Sequence, residues 1–126
     1  MDYEASREYL LAKPKTVEDY PFGPDVAVYK VMGKMFATLA IGKNKADDGG
    51  IKHWWMNLKC EPAEASMLRD IFPAVIPGYH MNKAHWNTII LDGSIPKGEI
   101  ERMIDNSFLL VVSKMTKKDQ AILALS

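Results

Sequence analysis

Several features are scarce in this chain of 126 residues, and each scarcity excludes a class of protein. A single cysteine, Cys60, leaves no internal disulfide to form, which favours a reducing compartment. No apolar run approaches the ~20 residues that a membrane span needs. The first residues lack a basic segment followed by an apolar stretch, the pattern of a secretory signal. We therefore expect a cytoplasmic protein with no membrane partner.

Catalytic motifs are missing as well. The sequence contains no HExxH or CxxC metal motif, no G-x-S-x-G elbow, no phosphate loop and no dinucleotide fingerprint. With three histidines, one cysteine and no carboxylate near the histidine pair, four zinc ligands are hard to assemble. Cys60 with His80 or His85 is the only thiol–imidazole pair available for nucleophilic catalysis. We expect no metal, no cofactor and a non-catalytic protein.

The length and the hydrophobic periodicity predict one α+β domain over residues 1–126. Proline, glycine and a change of period from two to 3.6 separate the predicted elements. The prediction is a two-layer α-βββ-α-ββ-α arrangement with one antiparallel sheet and a short last helix after Thr116. Its elements are a helix over Asp2–Lys13, a loop over Pro14–Asp25, strands at Val26–Val31, Met35–Ile41 and Ile51–Lys59, a loop over 43–50, a helix from Pro62 to Phe72, two strands within 77–91, and a long helix opened by Pro96.

The long helix carries an apolar stripe at i, i+3 and i+4 spacing that must face the sheet: Ile100, Ile104, Phe108 and Val111.

The stretch 77–91 is the most informative part of the sequence. It places two of the three histidines, a tryptophan, an asparagine and a lysine within a few residues, between the turn formers Pro77-Gly78 and Asp92-Gly93. Since asparagine tolerates a positive φ, we predict a hairpin with a tight turn at Asn82-Lys83. That register sets His80 opposite His85 and Tyr79 opposite Trp86.

Charge is balanced overall but unevenly placed. Sixteen basic and sixteen acidic residues argue against strong non-specific binding to nucleic acid. Residues 26–59 nevertheless hold six lysines against two aspartates, whereas residues 1–25 hold six acidic and three basic residues. One interpretation is a basic face for phosphates, with Lys83 at a hairpin tip beside aromatic residues. The other is a set of solvated strand edges, where lysines deter aggregation.

Five segments carry a family resemblance: Pro21–Gly23, Tyr29–Ala37, Asn57–Pro62, His80–Thr88 and Leu91–Gly93. Their sequence resembles the MmcQ/YjbR family of small bacterial proteins, often described as DNA-binding proteins with a double-wing motif. The resemblance implies a fold like that of type III secretion chaperones and a function in DNA binding. With zero net charge and few phosphate contacts, we expect weak, non-catalytic binding of duplex DNA through lysines and the hairpin. The candidate nucleic-acid-binding residues are Lys30, Lys34, Lys59, His80, Asn82, Lys83, His85 and Trp86.

Two other functions stay open. The chaperone-like fold and eight methionines suggest an adaptor for a protein or peptide partner. A small-molecule site or enzyme could be built on His80, Asn82, Lys83 and His85. A basic convex surface around Lys83 would favour DNA, an apolar groove beside the sheet would favour a partner, and a concave pocket around the histidines would favour a ligand.

Overall fold

A computed structural model describes residues 1–42 and 52–125. The helices are α1 (Tyr3–Leu11), α2 (Pro62–Ile71), α3 (Lys97–Ser113) and α4 (Lys117–Ala124). The strands are β1 (Thr16–Asp19), β2 (Val26–Val31), β3 (Lys34–Ile41), β4 (Trp54–Lys59), β5 (Val75–Pro77) and β6 (Trp86–Ile90). The strands form one antiparallel sheet in the order β1-β2-β3-β4-β6-β5. The α+β prediction with one antiparallel sheet is confirmed. The loop predicted over 43–50 and the start of the third predicted strand, Ile51, lie outside the described residues.

The hydrophobic core lies between the helices and one face of the sheet. Alternating residues of β4, Met56 and Leu58, are buried there, and so is the α3 stripe Ile100, Ile104, Phe108 and Val111. The stripe was predicted from its period, and the structure confirms it. Helix α4 begins as its capping pattern predicts, because the Thr116 side chain accepts a hydrogen bond from the Asp119 backbone.

Strand β1 corrects the prediction of a loop over Pro14–Asp25. The charged residues of this strand find their partners elsewhere in the chain. Glu18 accepts hydrogen bonds from the Arg7 guanidinium at 2.8 and 3.0 Å and from the Tyr29 hydroxyl at 2.8 Å. Asp19 pairs with Lys30 at 3.1 Å. A four-residue segment with two carboxylates is typical of a loop when only its own sequence is considered. The cations that neutralise the two carboxylates come from helix α1 and strand β2.

A bulge interrupts the pairing of β2 with β3. Tyr29 pairs with Ala37 and Lys30 with Met35, so Phe36 is an extra residue. The register of β3 with β4 would put Phe36 opposite Lys59, one rung beyond Ala37 and Leu58. At that rung the hydroxyl of buried Ser107 accepts from Lys59 N at 2.9 Å and donates to Phe36 O at 2.6 Å. A side chain of helix α3 therefore bridges β3 and β4 where a backbone hydrogen bond between the two strands would otherwise lie.

The predicted 77–91 hairpin is half right. Strands β5 and β6 are antiparallel neighbours, as predicted, with Pro77 opposite Asn87. The tight turn at Asn82-Lys83 is wrong, since an eight-residue loop, 78–85, joins them. His80 and His85 both lie in this loop rather than opposite each other on paired strands. Among the described residues no helix is both long and apolar enough to cross a membrane.

Candidate functional site: the open face of the sheet

The face of the sheet opposite the helices carries the candidate site. On β4, Trp55, Asn57 and Lys59 alternate with the buried Met56 and Leu58 and therefore point to this open face. The register places Thr38 of β3 and Thr88 of β6 on either side of Asn57. A row of polar side chains thus crosses three strands of this face, with Trp55 and Lys59 on either side of it along β4.

This polar row anchors the 78–85 loop over the sheet. The Tyr79 backbone N–H donates to the Thr88 hydroxyl oxygen at 2.9 Å, and the Asn57 amide donates to the Tyr79 carbonyl at 3.3 Å. The Thr88 hydroxyl in turn donates to the Asn57 side-chain oxygen. Tyr79 is therefore held by its backbone, which leaves its ring free to form part of a wall above the sheet.

The loop's other polar residues also serve its own construction. Asn82 accepts a hydrogen bond from the Ala84 backbone at 3.0 Å, and the Lys83 ammonium donates to the Gly78 carbonyl at 3.0 Å. Gly78 is needed where it stands, because a Cβ there would lie 2.8 Å from the Trp86 Cβ. The predicted roles of Asn82 and Lys83 in binding are untested, and both side chains already have partners within the loop.

Asn87 ties the same region to helix α2 on the other side of the sheet. It is 1% exposed, accepts from the Arg69 guanidinium at 2.8 Å and donates to the Ala65 carbonyl at 3.2 Å. Arg69 also donates to the Lys83 carbonyl at 3.4 Å. Because both the oxygen and the nitrogen of this buried amide have partners, Asn87 fixes the position of β6. The loop that precedes β6 is therefore attached to a rigid strand.

Between the anchored loop and the sheet lies a cavity of about 460 Å³. We call it the open-face cavity. The described residues that line it are Phe22, Val26, Met35, Thr38, Ala40, Ile41, Gly42, Trp55, Asn57, Tyr79, His80 and Met81. The Trp55 and Tyr79 rings meet edge to face at 5.5 Å, and the His80 ring lies 4.1 Å from Tyr79. Phe22, 72% exposed, lines the cavity from the β1–β2 connection.

Gly42 sets the position of the Trp55 ring. An ideal Cβ on Gly42 would lie 2.1 Å from Trp55 Nε1, which is well inside any real contact. The indole can lie against the end of β3 only because residue 42 has no side chain. The wall of the cavity thus depends on a glycine that the sequence alone gave no reason to single out.

The two histidines of the loop differ in surroundings. His80 is exposed, has a left-handed φ of +59° and lines the open-face cavity. That backbone region is uncommon outside glycine, asparagine, aspartate and histidine, and for any residue but glycine it costs free energy that the surrounding loop must offset. His85 instead joins the main-chain network: its N–H donates to the Asn82 carbonyl at 3.1 Å, and its carbonyl accepts from Cys60 N at 2.8 Å. The structure does not bring the two together.

The remaining nucleic-acid candidates are spread over the sheet. Lys30 and Lys59 belong to strands β2 and β4, and Lys34 is exposed at the start of β3. The Lys30 ammonium already pairs with Asp19 at 3.1 Å. Trp86 is 9% exposed and pairs with Lys59 across β4 and β6. Lys30, Lys34 and Lys59 lie on three different strands and Trp86 on a fourth, rather than in the 78–85 loop with Lys83.

Cys60 lies at the junction of β4 and α2, where a helix start could activate a thiol. Burial dominates instead and raises the pKa of the Cys60 thiol to about 11. At neutral pH such a cysteine is a thiol rather than a nucleophilic thiolate. In residues 1–42 and 52–125 no group of three histidine, cysteine or carboxylate side chains is placed to hold a metal ion.

Sequence reasoning missed most of the cavity's lining, including Phe22, Trp55, Tyr79 and the methionines at 35 and 81. One signal was available. Strands β2 and β3 are nearly continuous apolar runs, VAVYKV and KMFATLAI, and such runs are typical of strands covered on both faces. A two-layer fold leaves one face bare, so this composition indicated that something else covers the second face.

Comparison with known proteins places these features in a family. A family model described as YjbR matches residues 11–110. The uncharacterised protein YbdF of Escherichia coli O157:H7 is 31% identical over 118 residues, covering 94% of this chain and 90% of its own. The uncharacterised protein YjbR of Escherichia coli K12 is 29% identical over 116 residues, covering 92% of each. A crystal structure of Deinococcus radiodurans protein DR2400, a DUF419 domain, superposes with a TM-score of 0.82 at 31% identity, covering 98% of this chain and 88% of that one.

Proposed function

Because this chain belongs to the YjbR family, whose named relatives are called uncharacterised, we propose a function from its own geometry: it binds a small, mainly apolar molecule in the open-face cavity. The observation that carries this proposal is the cavity itself. Its volume of about 460 Å³ falls within the ~300–1,000 Å³ of typical small-molecule sites.

The way the cavity is built supports this proposal. Its floor is a twisted sheet, and its wall is a loop fixed through Asn57, Thr88 and the Tyr79 backbone. A preformed site loses little conformational entropy when a ligand enters, so more of the contact energy remains as affinity. Methionines 35 and 81 add side chains that can adjust to the outline of a ligand.

The volume also sets an expected affinity. At the ~30 Å³ that a water molecule occupies in the liquid, the cavity holds roughly 15 non-hydrogen atoms. At about 0.3 kcal/mol per atom, such a ligand gains ~4–5 kcal/mol. That corresponds to a Kd between about 0.1 and 1 mM for a molecule that fits without special contacts.

A neutral fluorescent probe, phenyl-naphthylamine, tests the proposal. We expect its emission to rise as the protein is titrated into it. Ala40→Leu adds a side chain inside the cavity and should weaken binding at least ~5-fold, since a filled site excludes the probe. Ala63→Leu, on the exposed start of α2, makes the same chemical change elsewhere and should bind like the parent. Absence of binding by the folded parent, or equal binding by both variants, would remove the proposal.

Duplex DNA is the second candidate, and the observation that favours it is the placement of lysines. Lys30 and Lys59 belong to strands of the open face, and Lys34 is exposed at its border. With few phosphate contacts and no net charge, we expect affinity no better than roughly micromolar near physiological salt. The pairing of Lys30 with Asp19 must open before that ammonium can reach a phosphate.

A fluorescence-anisotropy titration with labelled duplex at low salt tests the DNA hypothesis. Lys34→Glu should weaken binding for all DNA sequences alike, because phosphate contacts carry no direct base information. Lys118→Glu on α4 makes the same charge change away from the sheet and is the control. Lys83→Glu is less informative, since it also removes the bond to Gly78. Absence of binding by the parent at high micromolar concentration would end this hypothesis.

The partner-protein hypothesis would use the same apolar surface. No feature of the described part of the chain favours it over a small ligand, so it stays a prediction.

A further inference from the structure

We propose that the ligand of the open-face cavity is an electrically neutral molecule that carries an aromatic ring, and that the cavity discriminates against acids and bases of the same size. This inference rests on the proposed function, because it concerns the choice of ligand at that same site. It follows from three properties of the part of the lining that the structure describes: the absence of lysine, arginine, aspartate and glutamate side chains, the prior use of the Asn57 amide, and the arrangement of the rings.

The first property is charge. Among the described residues that line the cavity there is no lysine, arginine, aspartate or glutamate. A charged ligand would leave water without meeting a fixed opposite charge. Burying an unpaired charge is far more costly than burying an apolar group. The cavity therefore favours ligands that arrive neutral.

The second property is that the Asn57 side chain, a polar group of the lining, already has partners. The Asn57 side chain donates to the Tyr79 carbonyl at 3.3 Å, and its oxygen accepts from the Thr88 hydroxyl. That hydroxyl oxygen also accepts from the Tyr79 N–H at 2.9 Å. These groups hold the loop in place and could turn to a ligand's carboxylate or ammonium only by releasing the wall of the cavity. A charged group therefore gains little from them.

The third property is aromatic. Trp55 and Tyr79 already meet edge to face at 5.5 Å, and His80 lies 4.1 Å from the same Tyr79 ring. Phe22 lines the cavity and is 72% exposed, so much of its side chain is uncovered. A flat ring in the cavity could pair with these rings, and such pairs add ~0.5–1.5 kcal/mol beyond the area they bury. A saturated ligand of equal size would lack that contribution.

A matched series of competitors tests the inference by displacing phenyl-naphthylamine from the protein. Benzyl alcohol, benzoate and benzylammonium share one ring and differ in charge, and cyclohexylmethanol is neutral without an aromatic ring. We expect benzyl alcohol to displace the probe at a concentration at least ~10-fold below that of either ion. It should also act at least ~2-fold below cyclohexylmethanol, the ratio expected from the weakest such aromatic pair.

Two controls keep the outcomes distinct. Ala40→Leu should weaken displaceable probe binding at least ~5-fold, which ties every competitor to the cavity. Displacement by benzyl alcohol should also be unaffected by salt, since a neutral ligand has no charge to screen.

If the folded parent never binds the probe, the proposed function fails. If the probe binds in the cavity but benzoate or benzylammonium competes as well as benzyl alcohol, the cavity is a site and its selectivity for neutral ligands is wrong. If cyclohexylmethanol equals benzyl alcohol, the aromatic requirement is wrong.

Discussion

Replacing Ser107 with alanine tests how helix α3 completes the sheet. The Ser107 side chain is fully buried, and its hydroxyl bridges Lys59 N at 2.9 Å and Phe36 O at 2.6 Å. Ser107→Ala keeps the helix and nearly the same volume but removes both bonds. Each buried group left without a partner costs about 1–3 kcal/mol. With partial relaxation of the bulge, we expect a loss of roughly 2–5 kcal/mol in the free energy of unfolding, a large fraction of the ~5–15 kcal/mol usual for a domain.

Thermal and urea unfolding followed by circular dichroism give this free energy. At about 4 °C per kcal/mol for a domain of this size, the Tm should fall by roughly 8–20 °C. Ser113→Ala is the matched control, because Ser113 lies on the same helix and its hydroxyl bonds Leu110 O at an exposed position. It should change stability by less than about 0.5 kcal/mol. Hydrogen exchange of the Lys59 amide gives a local readout and should accelerate in Ser107→Ala. A variant as stable as the parent, with that amide still protected, would refute the bridging role.

Three further predictions concern the core, the thiol and the acid response. Phe108→Ala should cost about 3–5 kcal/mol in urea unfolding, whereas the exposed neighbour change Leu109→Ala should cost much less; similar losses would mean that the stripe is not core. Cys60, whose thiol pKa burial raises to about 11, should react slowly with a thiol reagent at pH near 8 until denaturant is added, and rapid native labelling would contradict this. The hydrogen bond and ion pair with Arg7 hold the pKa of Glu18 below its ordinary value, so its stabilisation is present above the unfolded pKa of ~4.3 and is lost as pH falls through the lower folded value. Parent and Glu18→Gln should accordingly differ in Tm at neutral pH and converge in strong acid, and a constant difference would be the contrary result.

The location of the site was only partly predictable. The stretch 77–91 was singled out as a candidate site, and Tyr79, His80 and Met81 of it line the open-face cavity, but its histidines were assigned to paired strands. Tight-turn reasoning rests on neighbours in sequence, whereas this loop is held by Asn57 on another strand and by Arg69 on a helix. Lys83 appeared free at a hairpin tip, yet its ammonium is bonded to Gly78. Nothing local distinguishes a lysine that reaches solvent from one that returns to its own loop.

The sequence by itself determined the α+β class, four strands and four helices to within a few residues, and the core stripe of α3. These follow from hydrophobic period, proline and glycine, and capping residues such as Thr116, all of which act over a few positions along the chain. It also determined the family, through segments spread over most of the chain.

Only the tertiary structure decided the rest, because those features depend on residues distant in sequence. Strand β1 exists because Arg7 and Tyr29 reach Glu18. The bridge between Lys59 and Phe36 depends on Ser107 of helix α3, which lies 48 positions beyond Lys59 in the sequence. The open-face cavity forms because four separate segments meet over one face of a twisted sheet. Its volume, its lining residues and their charge are defined only after the chain has folded.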